Sequence, residues 1–257
     1  MIEALLWDVD GTLAETEREG HRVAFNRAFE AMGLTWRWDE RRYGELLRTT
    51  GGRERLLADM GARAEAPVAP AERAALAAEL HRRKNQFYEA IVHDGDIPLR
   101  AGVRELVEEA SARGLRQAIV TTTSRVNVEA LLRRHFGAER HRCFERLVCA
   151  ENVAAKKPDP EAYVQALAAL GLSPLVALAI EGSAAGAAAA CAADIPVVVT
   201  RSEYFAQEAV DSAVAIGPGL HTRRGWRPAT VGAATGRVRL DDMIEWHGRM
   251  EFVSHFG

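Results

Sequence analysis

The chain has 257 residues, 48% hydrophobic and 27% charged, with 36 acidic against 33 basic side chains and a net charge of −3. That length supports one sizeable core, or a core with a smaller inserted domain. The near-neutral balance argues against general nucleic-acid binding, and the composition excludes a disordered chain, a collagen-like repeat and a disulfide scaffold. In chain order, the first predicted element is a buried strand, the apolar run Ile2–Trp7 that ends at Asp8. From about Ala14 to Ile97 no strand pattern appears. Helical spacing such as Phe25, Ala28, Phe29 and Met32 instead predicts a helical lid over residues 16–95, hinged near Leu13–Thr16 and Gly95–Pro98. Residues 1–15 and 96–257 then form the core. Within it, strands predicted at Gln117–Thr121, Arg146–Ala150, Ala177–Ile180, Val197–Thr200 and Ala213–Ile216 alternate with helical segments. One such segment carries Val103, Leu106, Val107 and Ala110. A second carries Val128, Leu131, Leu132, His135 and Phe136 and stops at Gly137; a third carries Tyr163, Ala166, Leu167 and Leu170 and stops at Gly171. This alternation implies an α/β fold, a Rossmann-like doubly wound parallel sheet. A glycine- and proline-punctuated loop from Gly217 to Gly236, including Gly232, precedes a last amphipathic stretch at Leu240–Met250.

The start of the chain lacks a signal-peptide pattern, and no apolar run is long enough to span a bilayer. Cys143, Cys149 and Cys191 are odd in number and form no CxxC, so a reduced cytoplasm and buried apolar cysteines are expected, with no membrane partner. The chemistry-bearing signal is Asp8-Val9-Asp10-Gly11-Thr12, two acids at the carboxyl end of the first strand, the edge where open α/β sheets bind ligands. The bland reading is a strand ending in an Asp-Gly hairpin turn, but no second strand follows. Paired like charges point to a metal or to shared acid–base work. A second signal is lysine usage. Only Lys84, Lys156 and Lys157 occur, and two of them are adjacent before Pro158.

The run Asp8-Val9-Asp10-Gly11-Thr12-Leu13 resembles the first motif of the haloacid dehalogenase superfamily of phosphatases and phosphomutases. Thr121-Thr122-Thr123-Ser124 after an apolar strand is similar to its second motif, Lys156-Lys157-Pro158 to its third, and Glu181-Gly182-Ser183 to half of its fourth. The resemblance implies Asp8 as nucleophile in an aspartyl-phosphate mechanism, with Asp10 as general acid and base. Thr122 would bind the phosphoryl group and Lys157 would offset its charge. It also implies Mg2+ as cofactor, held by the Asp8 carboxylate, the Asp10 backbone carbonyl and Glu181. Where the family usually carries an Asp that ligates the metal, this chain has Gly182. The second Asp separates the chain from dehalogenases, which need no protonation of a leaving halide.

The lid segments Glu15-Thr16-Glu17, His21 to Asn26 and Thr50-Gly51-Gly52-Arg53 are similar to those of the xylulose bisphosphate phosphatases, and the whole chain also resembles the β-phosphoglucomutase-like group. By that likeness Glu17 would contact sugar hydroxyls and Arg53 would hold a non-reacting phosphate. Thr50, Gly51 and Gly52 would form an anion-binding turn at a helix start. His21, Thr123, Ser124 and Arg125 complete the expected substrate contacts, although His21 serves a lid core equally well. The expected activity is Mg2+-dependent hydrolysis of a small sugar phosphate or bisphosphate by a monomer. The alternatives are a sugar phosphomutase and a catalytically weakened phosphosugar-binding protein. His81, His93, His135, His141 and His221 are expected on the surface, Arg223-Arg224 as a solvated pair, and Trp36 and Trp38 as lid packing.

Overall fold

The computed structural model describes residues 2–95, 97–210, 212–230 and 235–249. Asp96 of the second expected hinge, Gly232 of the loop and Met250 lie outside the described residues. Six strands form one parallel sheet: β1 (Ala4–Trp7), β2 (Arg116–Val120), β3 (Arg146–Val148), β4 (Ala177–Glu181), β5 (Val197–Thr200) and β6 (Ala215–Gly217). Their order across the sheet is β3-β2-β1-β4-β5-β6. The fold is a doubly wound α/β sheet, and β1 sits in its centre. Strand ends differ from the sequence reading by one to two residues at β1, β2, β3, β4 and β6, as apolar runs do not mark where a ladder starts or stops.

The central strand shows why an unbroken apolar run was required. Every residue of β1 is buried, and alternate side chains enter opposite faces. Leu5 and Trp7 join one apolar layer, with Val103, Leu106, Val107 and Leu131; Ala4 and Leu6 join the other, with Tyr163, Ala166 and Ala187. Both faces are covered by helices, the condition that makes parallel strands uniformly apolar. These helices are α5 (Val103–Ala112), α6 (Arg125–Phe136), α8 (Glu161–Leu170) and α9 (Ala184–Ala192), with the short α7 (Arg140–Cys143) packed on α5 and α6. The expected apolar stripes of α5, α6 and α8 are the faces they bury, and α8 ends on Gly171 in the left-handed conformation.

Between β1 and α5 the chain is helical: a π-type turn at Glu17–His21, then α1 (Arg22–Ala31), α2 (Glu40–Leu46), α3 (Gly52–Gly61) and α4 (Pro70–Asp94). These helices enclose an apolar cluster of their own, in which Phe25, Phe29, Trp38 and Tyr43 pack ring on ring. Trp36 and Trp38 are buried there. The Trp38 Nε1 donates to Asp59 Oδ2 at 2.7 Å, and Arg42 and Arg63 bond the same carboxylate. After β6, Trp226 stacks on Trp246 of α10 (Leu240–Gly248) at 4.5 Å. Arg223 is not a free solvated charge. Its Nε donates to the buried Asp242 at 2.9 Å, an acid on α10 that only the fold brings near. Of the cysteines, Cys149 is buried, whereas Cys143 and Cys191 are partly exposed.

Candidate active site

A cavity of about 280 Å3 lies between the carboxyl edge of the sheet and the helical insertion. Asp8 immediately follows β1, and its backbone N–H donates to Ile180 O, so the sheet fixes its position. Its carboxylate is nearly buried. Oδ1 accepts from Lys157 Nζ at 2.9 Å, and Oδ2 accepts from Thr12 Oγ1 at 2.9 Å. Burial and the neighbouring Glu181 charge raise this carboxyl to about 7, against the pull of Lys157. Lys157 itself is 5% exposed and donates to three oxygens, those of Asp8, Val120 O at 2.8 Å and Glu181 Oε1 at 2.6 Å. Burial works against its charge, but the two carboxylates prevail and hold the ammonium above its usual range.

Asp10, two residues on, has different partners. Its Oδ1 accepts from Thr16 Oγ1 at 2.5 Å and meets His21 Nε2 at 2.9 Å, while Oδ2 accepts from Thr123 Oγ1. Burial opposes ionisation here too. The charge and hydrogen bond of His21, with the Thr123 and Thr16 hydroxyls, outweigh it and keep Asp10 far below the usual carboxylate range. His21 comes from the helical insertion and stacks on Tyr88 of α4 at 4.2 Å. It is therefore both a packed core ring and the partner of a cavity carboxylate.

Asp8, Asp10, Glu17, His21, Thr50, Gly51, Gly52, Arg53, Thr122, Thr123, Ser124 and Lys157 all line the cavity. Two expected residues do not. Arg125 turns towards β3, its Nη2 donating to Leu147 O and to Asn152 Oδ1, because the first turn of α6 points this side chain along the sheet edge. Glu181, expected among the metal ligands, is 1% exposed, and its Oε1 accepts from Lys157 Nζ and, at 2.5 Å, from Tyr163 Oη. It anchors the lysine beneath the cavity.

Other lining residues escaped the sequence reading. All three lysines line the cavity, so the rarity of lysine was the available signal for Lys84 and Lys156. Lys84 projects from α4, is 3% exposed, and its Nζ lies 5.0 Å from the Tyr88 ring centre. Burial brings it down to about 7, partly offset by Asp10 and Glu17. His81, expected on the surface, also faces the cavity from α4, and burial with Lys84 and Lys156 nearby lowers it to about 4. Arg55 is buried, donates to Tyr43 Oη at 2.8 Å, and lies 3.8 Å from Glu17, which accepts from the same hydroxyl. Arg48, Asn127, Phe205 and Glu208 complete the features that periodicity could not reveal. At the start of α3, Gly51 has φ +95°, a left-handed backbone conformation that favours glycine. The cationic lining of Arg48, Arg53, Arg55, Lys84, Lys156 and Lys157 outnumbers Asp8, Asp10, Glu17 and Glu208. Such a cavity favours a multiply charged anion.

Residues 2–194 match the family model for haloacid dehalogenase-like hydrolases. The chain belongs to this family. The hydrolase is 48% identical over 203 residues to the protein CbbY of Rhodobacter capsulatus, covering 79% of this chain and 87% of that one. It is 39% identical over 252 residues to the plasmid-encoded CbbY of Cupriavidus necator, covering 96% and 97%. Among solved structures, it resembles a CbbY variant from Rhodobacter sphaeroides in complex with xylulose-(1,5)bisphosphate. That match has a TM-score of 0.76, 42% identity and coverage of 83% of this chain and 92% of that chain.

Hydrolases of this family generally use Mg2+. The donors of this chain do not make a complete seat for it. Asp8 offers a carboxylate, but Glu181 is committed to Lys157 and Tyr163, and residue 182 has no side chain. Among the described residues, no group of three or more His, Cys, Asp and Glu side chains is placed to hold a metal ion.

Proposed function

We propose that this hydrolase is a phosphatase of a small sugar bisphosphate, xylulose bisphosphate-like in size and charge. The observation that carries the reading is the pair of carboxylates with opposite surroundings, Asp8 on an ammonium and Asp10 on hydroxyls and an imidazole, in one cation-rich cavity. Asp8 attacks phosphorus, forming an acyl phosphate as the bond to the sugar oxygen breaks, and water then releases phosphate. Lys157 stays within bonding distance of the reacting oxygen throughout and offsets charge on the transferring group. Thr122, in the loop after β2, is a donor to that group. Asp10 is ionised at rest, the state that takes a proton from the attacking water. The first half-reaction needs it protonated, and His21 Nε2 is the neighbour able to hand it a proton.

Recognition falls to the helical insertion, which acts as the cap over the sheet edge. The amides of Gly51 and Gly52 open α3, where a helix start favours anions, and Arg53 adds a forked donor for a second phosphate. Glu17, held by Tyr43 and close to Arg55, is the acceptor for sugar hydroxyls. The likeness to a CbbY structure that holds a sugar bisphosphate supports this assignment. A phosphate-release panel of sugar mono- and bisphosphates, with Asp8→Asn as the blank, tests it. Release from a five-carbon bisphosphate well above any monophosphate is the expected result; release unaffected by Asp8→Asn sinks the mechanism.

Gly182 favours a second reading, a phosphosugar-binding protein with weak turnover. Tight binding of the bisphosphate without phosphate release would identify it.

A further inference from the structure

Lys156 plays no part in the chemistry proposed above. It comes from the core, directly before Lys157, yet its Nζ donates to Glu54 Oε1 on α3 of the helical insertion. Glu54 is the third residue of α3, a position from which an acid commonly bends back to the start of its own helix. Here the bend lays the carboxylate over the turn that opens the helix. The place a Cβ would take on Gly51 is filled by Glu54 Oε2, and Lys156 Nζ lies 2.7 Å from that place. Burial opposes the charge of Glu54, but the Lys156 ammonium, with His81 near, holds it below the usual carboxylate range. Glu54 is therefore ionised at neutral pH.

An ordinary acid at a helix start needs only its own helix. A bond to a core lysine across the cavity is what sets Glu54 apart. The pair sits on the turn of Gly51 and Gly52 beside Arg53, and Gly51, Gly52, Arg53 and Lys156 all line the cavity. Glu54 fills this place incompletely, because Oε2 is buried with no hydrogen-bond partner among the described residues. A phosphate group brings three acceptor oxygens and up to two charges, enough to engage the turn and the ammonium together. The Glu54 side chain is 44% exposed and has solvent to swing into, whereas Lys156 is 21% exposed and stays at the cavity wall.

We infer that Glu54 is an internal occupant of the seat for the second phosphate, displaced when a bisphosphate takes over Lys156 and left in place by a monophosphate. The inference rests on the reading of this turn as that seat. Glu54 then sets a threshold for selection: a hydroxyl or a singly charged end does not break the ion pair, and a doubly charged end does. The affinity for a bisphosphate is lowered by the fraction of molecules in which the seat is closed.

Calorimetric titration of the intact protein, Glu54→Gln and Lys156→Gln tests it. The probes are a five-carbon alkane bisphosphonate and the matching monophosphonate, neither of which has an ester oxygen to lose. If Glu54 closes the seat in about nine molecules of ten, Glu54→Gln should tighten the bisphosphonate about ten-fold. The monophosphonate should move by less than about two-fold. Lys156→Gln should weaken the bisphosphonate by about ten-fold, the worth of a charge-assisted bond. A bisphosphonate preference that Glu54→Gln leaves unchanged or reduces would overturn the inference alone, and make Glu54 a strut between core and insertion. Equal tightening of both probes would overturn it too, as the mere loss of a negative charge from the cavity. A bisphosphonate no tighter than the monophosphonate in all three proteins would remove the seat itself, and the inference with it. Thermal melts check that each variant is folded.

Discussion

The two walls of the cavity are built differently. On the sheet side, Asp8, Asp10, Thr123 and Lys157 sit at strand ends or in the loops just after them, and nearly every polar atom has a partner. On the insertion side, Arg48, Arg53 and Lys84 reach in from loops and helices on long side chains, and Arg53 is largely exposed. Strand ends are held by neighbouring strands on both sides, so they suit groups whose position must not vary. Helix-borne arginines tolerate adjustment, which suits recognition of a flexible phosphorylated chain. The proposed division, chemistry on the first wall and recognition on the second, follows from that difference.

The sharpest way to break this division is Asp8→Asn, on the rigid wall. It should lower phosphate release by more than about 10^3-fold on every substrate, because an amide cannot attack phosphorus. Next, Arg53→Ala on the adjustable wall should raise KM for a bisphosphate by about ten-fold or more, the worth of a charge-assisted bond. Its KM for p-nitrophenyl phosphate should barely move. Equal effects on the two substrates would show that Arg53 does not serve a remote phosphate.

Smaller effects sharpen the comparison through stability. Gly182→Ala forces a methyl against the Gly11 carbonyl and should cost about 1–3 kcal/mol, as overpacking does. Tm should fall by roughly 2–4 °C per kcal/mol in a protein of this size. An unchanged Tm would mean the two loops separate easily. The smallest effect concerns His81 on the insertion side, lowered to about 4. The unfolded chain takes up a proton near the ordinary histidine value of about 6.5, while the folded protein does not until about pH 4. His81 therefore adds stability above pH 6.5 that is lost as pH falls towards 4. His81→Asn should show a smaller drop in Tm between pH 7 and pH 4.5 than the parent; identical drops would remove His81 as a cause.

Much of the fold was legible because it rests on local repetition. Apolar runs marked β1 to β6, helical spacing marked α5, α6 and α8, and the absence of strand patterns marked the insertion. The acids after β1 were legible for the same reason: a strand end is a place in the sequence as well as in space. Three features were beyond that reading. Glu181 sits in a motif that suggests a metal ligand, but its actual partners, Lys157 and Tyr163, lie 24 and 18 residues away. Arg125 lies next to cavity residues along the chain, yet the first turn of α6 sends it to β3. Lys84 and His81 look like ordinary residues of a polar helix until α4 is laid over the sheet edge. The sequence by itself determined the parallel sheet, the helical stretch after β1 and the strand end that carries two acids, since period and strand ends are properties of neighbours in the chain. Only the tertiary structure decided which charges share the cavity and that residue 182 is closed rather than vacant, because those outcomes depend on backbones brought together from 171 residues apart, Gly11 against Gly182.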